Sequence, residues 1–131
     1  MDEMDYHVIA IVPAETCDIK SVMSKLAEKG YKAQAVERGE LKGFRVEEED
    51  GWGIVALIED DEEVKELIQA IMDEPPAGIT AQQREACQLT LSIWSDDDSD
   101  FMNAHVFEEF IQCLKESFGY FIYDNRLGEW R

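Results

Sequence analysis

The chain has 131 residues, of which 30 are Asp or Glu and 12 are Lys or Arg, so its formal net charge is −18. This surplus disfavours nucleic acid and anionic lipid as partners, because proteins normally bind these by neutralising phosphates with Lys and Arg. Basic protein surfaces and metal cations would instead be attracted.

The size and the apolar content indicate a single domain, 1–131, in the cytoplasm. Apolar residues make up 45% of the chain, which is enough for one core without disulfides. No apolar run approaches the roughly 20 residues that cross a bilayer, and the acidic start of the chain, 1–5, is unlike a basic signal peptide. Three widely spaced cysteines do not suggest a secreted disulfide framework. Two of them lie among apolar neighbours and are expected to pack as small hydrophobes, Cys87 and Cys113.

The first predicted elements are a buried strand and an amphipathic helix. Tyr6–Val12 is a nearly continuous apolar run with β-branched residues, typical of a strand covered on both faces. Asp18 is placed to cap the helix that follows, and Gly30 to end it in the left-handed conformation. The helix is predicted from apolar residues at core-facing spacing, Ile19, Val22, Met23 and Leu26.

A β-hairpin is predicted next. Residues 31–36 alternate weakly between apolar and polar side chains, and a strand begins at Phe44 and Val46. The dipeptide Asp50-Gly51 is typical of a two-residue hairpin turn, after which Trp52–Ile58 returns as the second strand.

The second helix is predicted between this hairpin and a segment that resembles a linker. Asp60 and Glu63 form a capping-box-like start, and acidic residues there favour the positive end of the helix dipole. Pro75–Gly78 ends the helix within a linker-like segment, 74–80. We do not expect two independent domains, because the roughly 55 residues that follow would be marginal for folding alone. The apolar stripe of this helix is Val64, Leu67, Ile68 and Ile71.

The last predicted elements are a half-exposed strand, a third helix and a short apolar strand. Residues 87–94 alternate between apolar and other side chains. The helix runs from about Phe101 to Phe118 and ends at Gly119, before the strand Tyr120–Tyr123. The order β-α-β-β-β-α-β-α-β predicts an α+β protein in which helices pack on a mostly antiparallel sheet. The inward-facing residues of the third helix are Phe107, Phe110, Ile111, Leu114 and Phe118.

The acidic run before the third helix resembles part of a calcium-binding loop. Asp96, Asp98 and Asp100 occupy positions 1, 3 and 5, where side-chain oxygens converge on the ion. Position 6 is Phe101, where the pattern requires Gly, and Glu108 falls one residue after the position of the bidentate Glu. We therefore expect an acidic strand-to-helix turn in which Asp100 caps the helix. A divalent-metal site at Asp96, Asp98, Asp100 and Glu108 is the alternative.

Two further acidic clusters lie at 47–50 and 59–63. If the hairpin strands pair, the first cluster lies at the hairpin tip and the second at the far end of the returning strand. Like charges this dense repel one another, so a solvated surface and a surface that receives a cationic partner both stay open. Tryptophans beside carboxylates can anchor Arg-rich partners, although packing at a sheet margin is their more common role. The predicted partner-binding residues are Glu47, Glu48, Glu49, Asp60, Asp61, Asp96, Asp97, Asp98, Trp52 and Trp94.

The sequence does not predict catalysis. The chain has two histidines, and neither has the sequence context of a nucleophile–base pair. His105 and Glu109 are an i, i+4 pair on a polar helix face, which would support acid–base chemistry only with a third group nearby. Gly51 and Gly53 lack the G-x-G-x-x-G pattern of a nucleotide-binding fold. We expect a protein that is not an enzyme and has no cofactor.

The carboxy-terminal stretch Val106–Trp130 resembles a known family. An amphipathic helix ends at Phe118-Gly119, a strand follows that ends in Asp124, and a short turn leads to Trp130. This succession resembles the tails of small bacterial immunity-type proteins, which usually have a second glycine where Tyr120 stands here. The resemblance implies a cytoplasmic protein that binds and blocks one cognate toxin.

These observations predict a non-enzymatic acidic binding protein, an immunity protein or inhibitor that blocks a basic toxin or enzyme acting on nucleic acid. Such toxins need Lys and Arg around the catalytic groove, which a carboxylate-rich surface complements. The predicted partner is a basic protein, with neither nucleic acid nor membrane involved, and a monomer is favoured. A divalent-metal protein and a small regulatory domain that pairs through a sheet edge are the alternatives. Adaptation to high salt would explain the acidity without a partner, although the chain keeps seven Lys, six Phe and three Trp.

Overall fold

A computed structural model describes residues 6–14, 17–98 and 102–131 of the chain. This part of the chain contains four helices and one seven-stranded antiparallel sheet, so the predicted α+β class is confirmed. No helix within it is both long enough and apolar enough to cross a membrane. The strands are β1 (His7–Val12), β2 (Lys32–Arg38), β3 (Leu41–Glu47), β4 (Gly53–Glu59), β5 (Leu89–Ser95), β6 (Phe121–Asp124) and β7 (Glu129–Trp130). The helices are α1 (Ile19–Glu28), α2 (Glu62–Ile71), α3 (Ala81–Ala86) and α4 (Ala104–Phe118).

The sheet has the order β2-β3-β4-β5-β1-β6-β7. Strand β5, which follows the linker-like segment 74–80, lies between β4 and β1, which precede that segment, so both parts of the chain build one sheet. The predicted order of elements agrees with the structure apart from α3 and β7, which the sequence analysis did not predict. Helix α3 begins with a reciprocal capping box, in which the side chains of Thr80 and Gln83 bind each other's backbone N–H groups.

One face of the sheet is covered by α1 and α4. The central strands contribute β-branched and small residues, and α4 contributes aromatic rings that fill the space between the layers. Four of the five side chains predicted to face inward from α4 are buried, and the fifth, Phe118, packs at the margin. The most deeply buried large residues of this layer include Phe44, Phe107, Phe110, Leu26 and Leu114.

The other face of the sheet carries α2 over β1 and β6. Val64, Ile68 and Ile71 are buried there with Ile9 and Ile11 of β1. Cys87 is buried in the same cluster, as predicted. The prediction that Leu67 faces inward is wrong, because its side chain is 42% exposed. Successive helix positions differ by about 100°, so Leu67 lies beside the stripe that the three buried residues form.

The predicted capping residues are observed at both ends of α1, whereas the N-cap of α2 lies one residue later than predicted. Asp18 accepts from the backbone N–H of Lys20 (3.1 Å), and Gly30 adopts a left-handed φ of 95°, as predicted for α1. For α2 the predicted cap at Asp60 is wrong by one residue, because Asp61 accepts from the N–H of Val64 (2.9 Å). The helical phase that buries Val64 decides which of two adjacent carboxylates becomes the cap.

The β3–β4 turn lies where it was predicted but is one residue longer. The N–H of Glu48 donates to the carbonyl of Trp52 (2.8 Å), which closes a three-residue loop, and Gly51 has a φ of 90°. The predicted two-residue turn would require positive φ at both Asp50 and Gly51, whereas the longer loop requires it only at the glycine. Helix α4 begins at Ala104, later than the predicted start at Phe101, which lies outside the described residues.

Gly43 provides a test of the sheet packing. A Cβ atom at this position would lie 1.8 Å from the carbonyl oxygen of Ala56 and 2.8 Å from the Cα of Leu57, both backbone atoms of the neighbouring strand. We expect Gly43→Ala to lower the free energy of unfolding by about 3 kcal/mol, because β3 and β4 must move apart. Denaturant unfolding measures this. Lys42→Ala, at an exposed position of the same strand, should change stability by less than about 0.5 kcal/mol, and equal stability of the two variants would contradict the close approach.

Candidate partner-binding surface

Two of the acidic clusters lie side by side at one end of the sheet. Glu47, at the end of β3, pairs with Gly53 at the start of β4, and Ile54 pairs with Ser95 at the end of β5. The β3–β4 turn and the turn after β5 therefore emerge next to each other. We call residues 45–50 and 96–98 the hairpin-end surface; its nine residues have a formal charge of −6.

Arg45 connects the two acidic turns. Its guanidinium binds both carboxylate oxygens of Asp96, at 2.6 and 3.2 Å, and its Nε donates to Glu47 at 3.0 Å. A further donor of the same group reaches the carbonyl of Gly51 (3.2 Å). Such bidentate, charge-assisted pairs are the strongest and most directional of ordinary hydrogen bonds. One cation thus holds β3, the hairpin loop and the end of β5 together.

The backbone of Gly53 completes this connection. Its N–H donates to Asp96 Oδ2 (2.9 Å), and its carbonyl accepts from the N–H of Asp96 (2.9 Å). A Cβ atom on Gly53 would lie 2.6 Å from the guanidinium carbon of Arg45. Glycine at this position therefore leaves the space through which the Arg45 side chain reaches Asp96.

Trp52 lies beneath the surface and is not exposed on it. Only 8% of the residue is accessible, and the indole N–H donates to the carbonyl of Asp97 (3.0 Å). Its ring also packs edge-on against Tyr6. The prediction that Trp52 is partly exposed as a partner anchor is wrong, because the indole fills the junction between the two turns and finds its hydrogen-bond acceptor there.

Asp98 is also buried, at 4% exposure, so it cannot present its carboxylate to a partner as predicted. It accepts from the hydroxyl of Tyr6 (2.6 Å) and from the backbone N–H of Asn103 (3.0 Å) at the start of α4. Burial, together with this carboxylate, raises the pKa of Tyr6 to about 12. Asp98 thus fastens the turn to α4, while Asp100, the cap predicted for this helix, lies outside the described residues.

The electrostatics of the Arg45–Asp96 pair follow from this geometry. The hydrogen bonds from Arg45 lower the pKa of Asp96, and the N–H of Gly53 acts in the same direction. The same contacts raise the pKa of Arg45. Asp96 is therefore ionised and neutralised within the chain, which leaves it less available to a partner than its exposed neighbours.

The carboxylates that face solvent come mainly from the hairpin tip. Glu48, Glu49 and Asp50 are exposed, and so is Asp97 on the adjacent turn. Glu47 keeps 49% of its side chain exposed while it binds Arg45. Of the predicted tryptophan anchors, Trp94 is half-buried near the end of β5, between Val55 of β4 and His7 of β1. The exposed carboxylates of the hairpin-end surface are Glu47, Glu48, Glu49, Asp50 and Asp97.

The third acidic cluster belongs to a different part of the molecule. Asp60 and Asp61 follow Glu59, the last residue of β4, whereas the hairpin tip precedes its first residue. A seven-residue strand is about 20 Å long, so the clusters lie at opposite ends of the sheet. Asp60 and Asp61 are exposed, but Asp61 caps α2. The three clusters therefore do not form one face.

The alternative metal site does not assemble from the residues that the structure describes. Asp96 is bound to Arg45, Asp98 to Tyr6, and Glu108 on α4 forms an ion pair with Arg131. Within residues 6–14, 17–98 and 102–131 no group of three or more potential metal ligands converges. Asp100, the fourth predicted ligand, lies outside this part of the chain.

Sequence reasoning missed Arg45, the residue that organises this surface. Its signal was present, because Arg45 is the single basic residue in the stretch 45–50, where four acidic residues follow it. The sequence predicts Tyr6 as part of a strand and indicates no partner for its hydroxyl group. Its bond to Asp98 joins residues 92 positions apart, which no local pattern reveals.

The carboxy-terminal pattern has a local structural explanation. Gly119 ends α4 with a left-handed φ of 71°. Asp124 accepts from the N–H groups of Arg126 (3.0 Å) and Leu127 (3.3 Å), which forms the turn before β7. Trp130 then packs edge-on against Tyr123, with ring centroids 5.1 Å apart.

No protein-family model, curated protein or solved structure matches this chain. The resemblance to immunity-type proteins stays a prediction.

The pairing of Asp96 with Arg45 predicts a pH dependence. The folded-state pKa of Asp96 is lowered from an unfolded value of about 3.9. Its contribution to stability is therefore present above that value and is lost as the pH falls through the lowered pKa. We expect Asp96→Asn to lower the free energy of unfolding by about 1 kcal/mol near neutral pH, a modest loss because the carboxylate is partly exposed. The difference in stability from wild type should shrink in acid.

Urea unfolding measured at several acidic and neutral pH values tests this. Glu48→Gln is the matched control, since it removes an exposed carboxylate of the same surface. Its stability should stay within about 0.5 kcal/mol of wild type at each pH. A difference between wild type and Asp96→Asn that does not change with pH would contradict the assigned pair.

Proposed function

We propose that this protein is a non-enzymatic binding protein whose hairpin-end surface docks against a basic protein partner. The observation that supports the proposal is the juxtaposition of two acidic turns that are distant in sequence, 47–50 and 96–98. Like charges held together cost stability, yet Arg45 and Trp52 hold these turns in place through several directional contacts. A concentrated and ordered field of carboxylates attracts Arg and Lys side chains without further rearrangement.

The electrostatics define what this surface can do. Complementary charge raises the association rate and selects among partners, whereas buried contacts keep the complex together. The exposed carboxylates supply the first effect. Half-buried Trp94 is suited to the second, because an aromatic ring beside carboxylates can stack on an Arg guanidinium.

The more specific form of the proposal is an immunity protein that blocks a toxin acting on nucleic acid. The groove of such a toxin is lined with Lys and Arg that bind phosphates, and a ridge of carboxylates would occupy the same positions. The resemblance of Val106–Trp130 to immunity-type tails supports this form. An immunity protein of this kind would act in the cytoplasm. It would be a monomer, because a net charge of −18 opposes self-association.

A set of charge-neutralising substitutions tests the proposal. We expect the triple variant Glu48→Gln, Glu49→Gln and Asp97→Asn to bind a basic nuclease captured from lysate of the source organism about tenfold more slowly than wild type. The reason is the loss of three carboxylates from the hairpin-end surface, each contributing a few tenths of a kcal/mol to about 1 kcal/mol. Stopped-flow association at increasing ionic strength measures the effect, and the rate for wild type should fall as salt screens the field.

The distant acidic cluster supplies a control with the same change in net charge. Asp60→Asn, Glu62→Gln and Glu63→Gln lie at the opposite end of β4 and spare the cap Asp61. This control should associate much as wild type does, and the melting temperature of the double variant Glu48→Gln with Glu49→Gln should be unchanged or higher. Equal slowing by both triple variants would show that only net charge matters, and the hairpin-end surface would then not be the docking site.

A further inference from the structure

The positive charges of this acidic chain are concentrated in one segment. Residues 20–45 contain seven of the twelve basic side chains and only three of the thirty acidic ones, a net charge of +4. The other 105 residues therefore carry −22. The seven basic residues are Lys20, Lys25, Lys29, Lys32, Arg38, Lys42 and Arg45.

This basic segment forms one edge of the molecule. It comprises α1, β2 and β3, and β2 is the outermost strand at that end of the sheet. The highly acidic hairpin tip touches it only at the end of β3. Arg38 and Lys42, near the β2–β3 turn, lie at the opposite end of these strands from that tip.

The backbone of β2 is available for a further strand. In the part of the chain that the structure describes, β2 pairs with β3 alone. Every side chain of β2 is exposed or half-buried, and no strand among the described residues pairs with its outer side. An edge strand presents unpaired N–H and C=O groups that can add another chain. With seven residues, β2 is long enough for such pairing.

The side chains beside this edge define the chemistry of a suitable strand. Lys32, Gln34, Val36 and Arg38 share one face, because side chains alternate along a strand. Glu47 lies opposite Lys32 on β3, but its carboxylate already binds Arg45. Residues of an added strand that lie opposite Lys32 and Arg38 would form favourable cross-strand pairs if they were acidic.

We propose that the edge of β2 binds an extended acidic segment of a partner protein by strand addition, with carboxylates placed against Lys32 and Arg38. A second copy of this chain fits less well. A symmetric antiparallel pair of β2 strands centred on Ala35 would place Lys32 of one copy against Arg38 of the other, and like charges directly opposite are destabilising. Two copies would also bring together net charges of −18.

Charged residues on an edge strand have a second known effect, which is to prevent unwanted pairing. That effect would favour charges of either sign. Preventing unwanted strand pairing does not by itself explain why positive charge is concentrated in 20–45 of a chain that is acidic elsewhere. Strand β2 carries Lys32, Glu37 and Arg38, a net charge of +1, so this edge favours an acidic strand over a basic one, and the two interpretations predict different binding.

A labelled peptide tests the proposal. The probe is a short peptide of alternating Thr and Val in which two Glu residues have the spacing of Lys32 and Arg38. We expect fluorescence anisotropy to show saturable binding to the full chain. The double variant Lys32→Glu with Arg38→Glu should weaken binding by about tenfold or more, because two attractive cross-strand pairs become repulsive.

Three controls make the result decisive. The charge-matched variant Lys65→Glu with Arg84→Glu, away from β2, should bind the probe about as wild type does. The same peptide with alternate backbone nitrogens methylated keeps its charge but cannot pair, and should lose binding. Amide hydrogen exchange should show new protection in β2. Undiminished binding of the methylated peptide, equal weakening by the two double variants, or equally tight binding of the same peptide with Lys in place of both Glu residues would each overturn the proposal.

Sedimentation velocity without peptide tests whether a second copy of this chain pairs with the edge of β2. A concentration-dependent dimer that Lys32→Glu with Arg38→Glu disrupts would show that the edge pairs with a second copy and would overturn the proposal. A monomer that binds the acidic probe supports it. Neither outcome depends on the hairpin-end surface, so this test and the test of the proposed function can fail independently.

Discussion

The acidic end of this molecule depends on one guanidinium. Arg45 is bound by Asp96 and Glu47 and reaches the carbonyl of Gly51, so one side chain holds together two turns whose carboxylates repel each other. Gly53 makes this arrangement possible, because any larger residue would meet the guanidinium. Trp52 and Asp98 then fix the turns to the core and to α4. The conformation of the surface is thus set by a small number of directional contacts.

The same contacts separate two kinds of carboxylate that composition alone treats as equal. Asp96 and Asp98 stabilise the fold, the first as the partner of Arg45 and the second as a buried hydrogen-bond acceptor. Glu47 and Asp50 at the hairpin tip also bind within the turn, through Arg45 and the N–H of Trp52, whereas Glu48 and Glu49 are exposed and add charge without a structural contact among the described residues. A charge that stabilises nothing and is repelled by its neighbours is a stability cost. Retaining it is consistent with a role in attracting a cationic partner, which is why the proposed docking site centres on the tip.

Antiparallel pairing also distributes the charges unevenly over the surface of the molecule. The acidic turns gather at one end of the central strands, a second acidic cluster at the other end, and the basic segment 20–45 at one lateral edge. Because the Debye length in the cell is about 8 Å and the sheet is several strands wide, these regions act as separate surfaces. An acidic protein can therefore present a basic edge to one partner while another surface attracts a cation.

The local sequence was sufficient for most of the fold. Apolar periodicity, the cap at Asp18 and the left-handed glycine after α4 located α1, α2 and α4, and short apolar runs or alternation located the main strands, since each of these signals lies within a few neighbouring residues. The sequence also determined the excess of negative charge and its segregation along the chain. What it could not determine was which acidic side chains are free. Burial of Trp52, the bond between Tyr6 and Asp98, and the meeting of two distant turns through Arg45 all arise from strand order and register. Strand order and register are properties of long-range pairing, and residues 92 positions apart carry no local sign of contact.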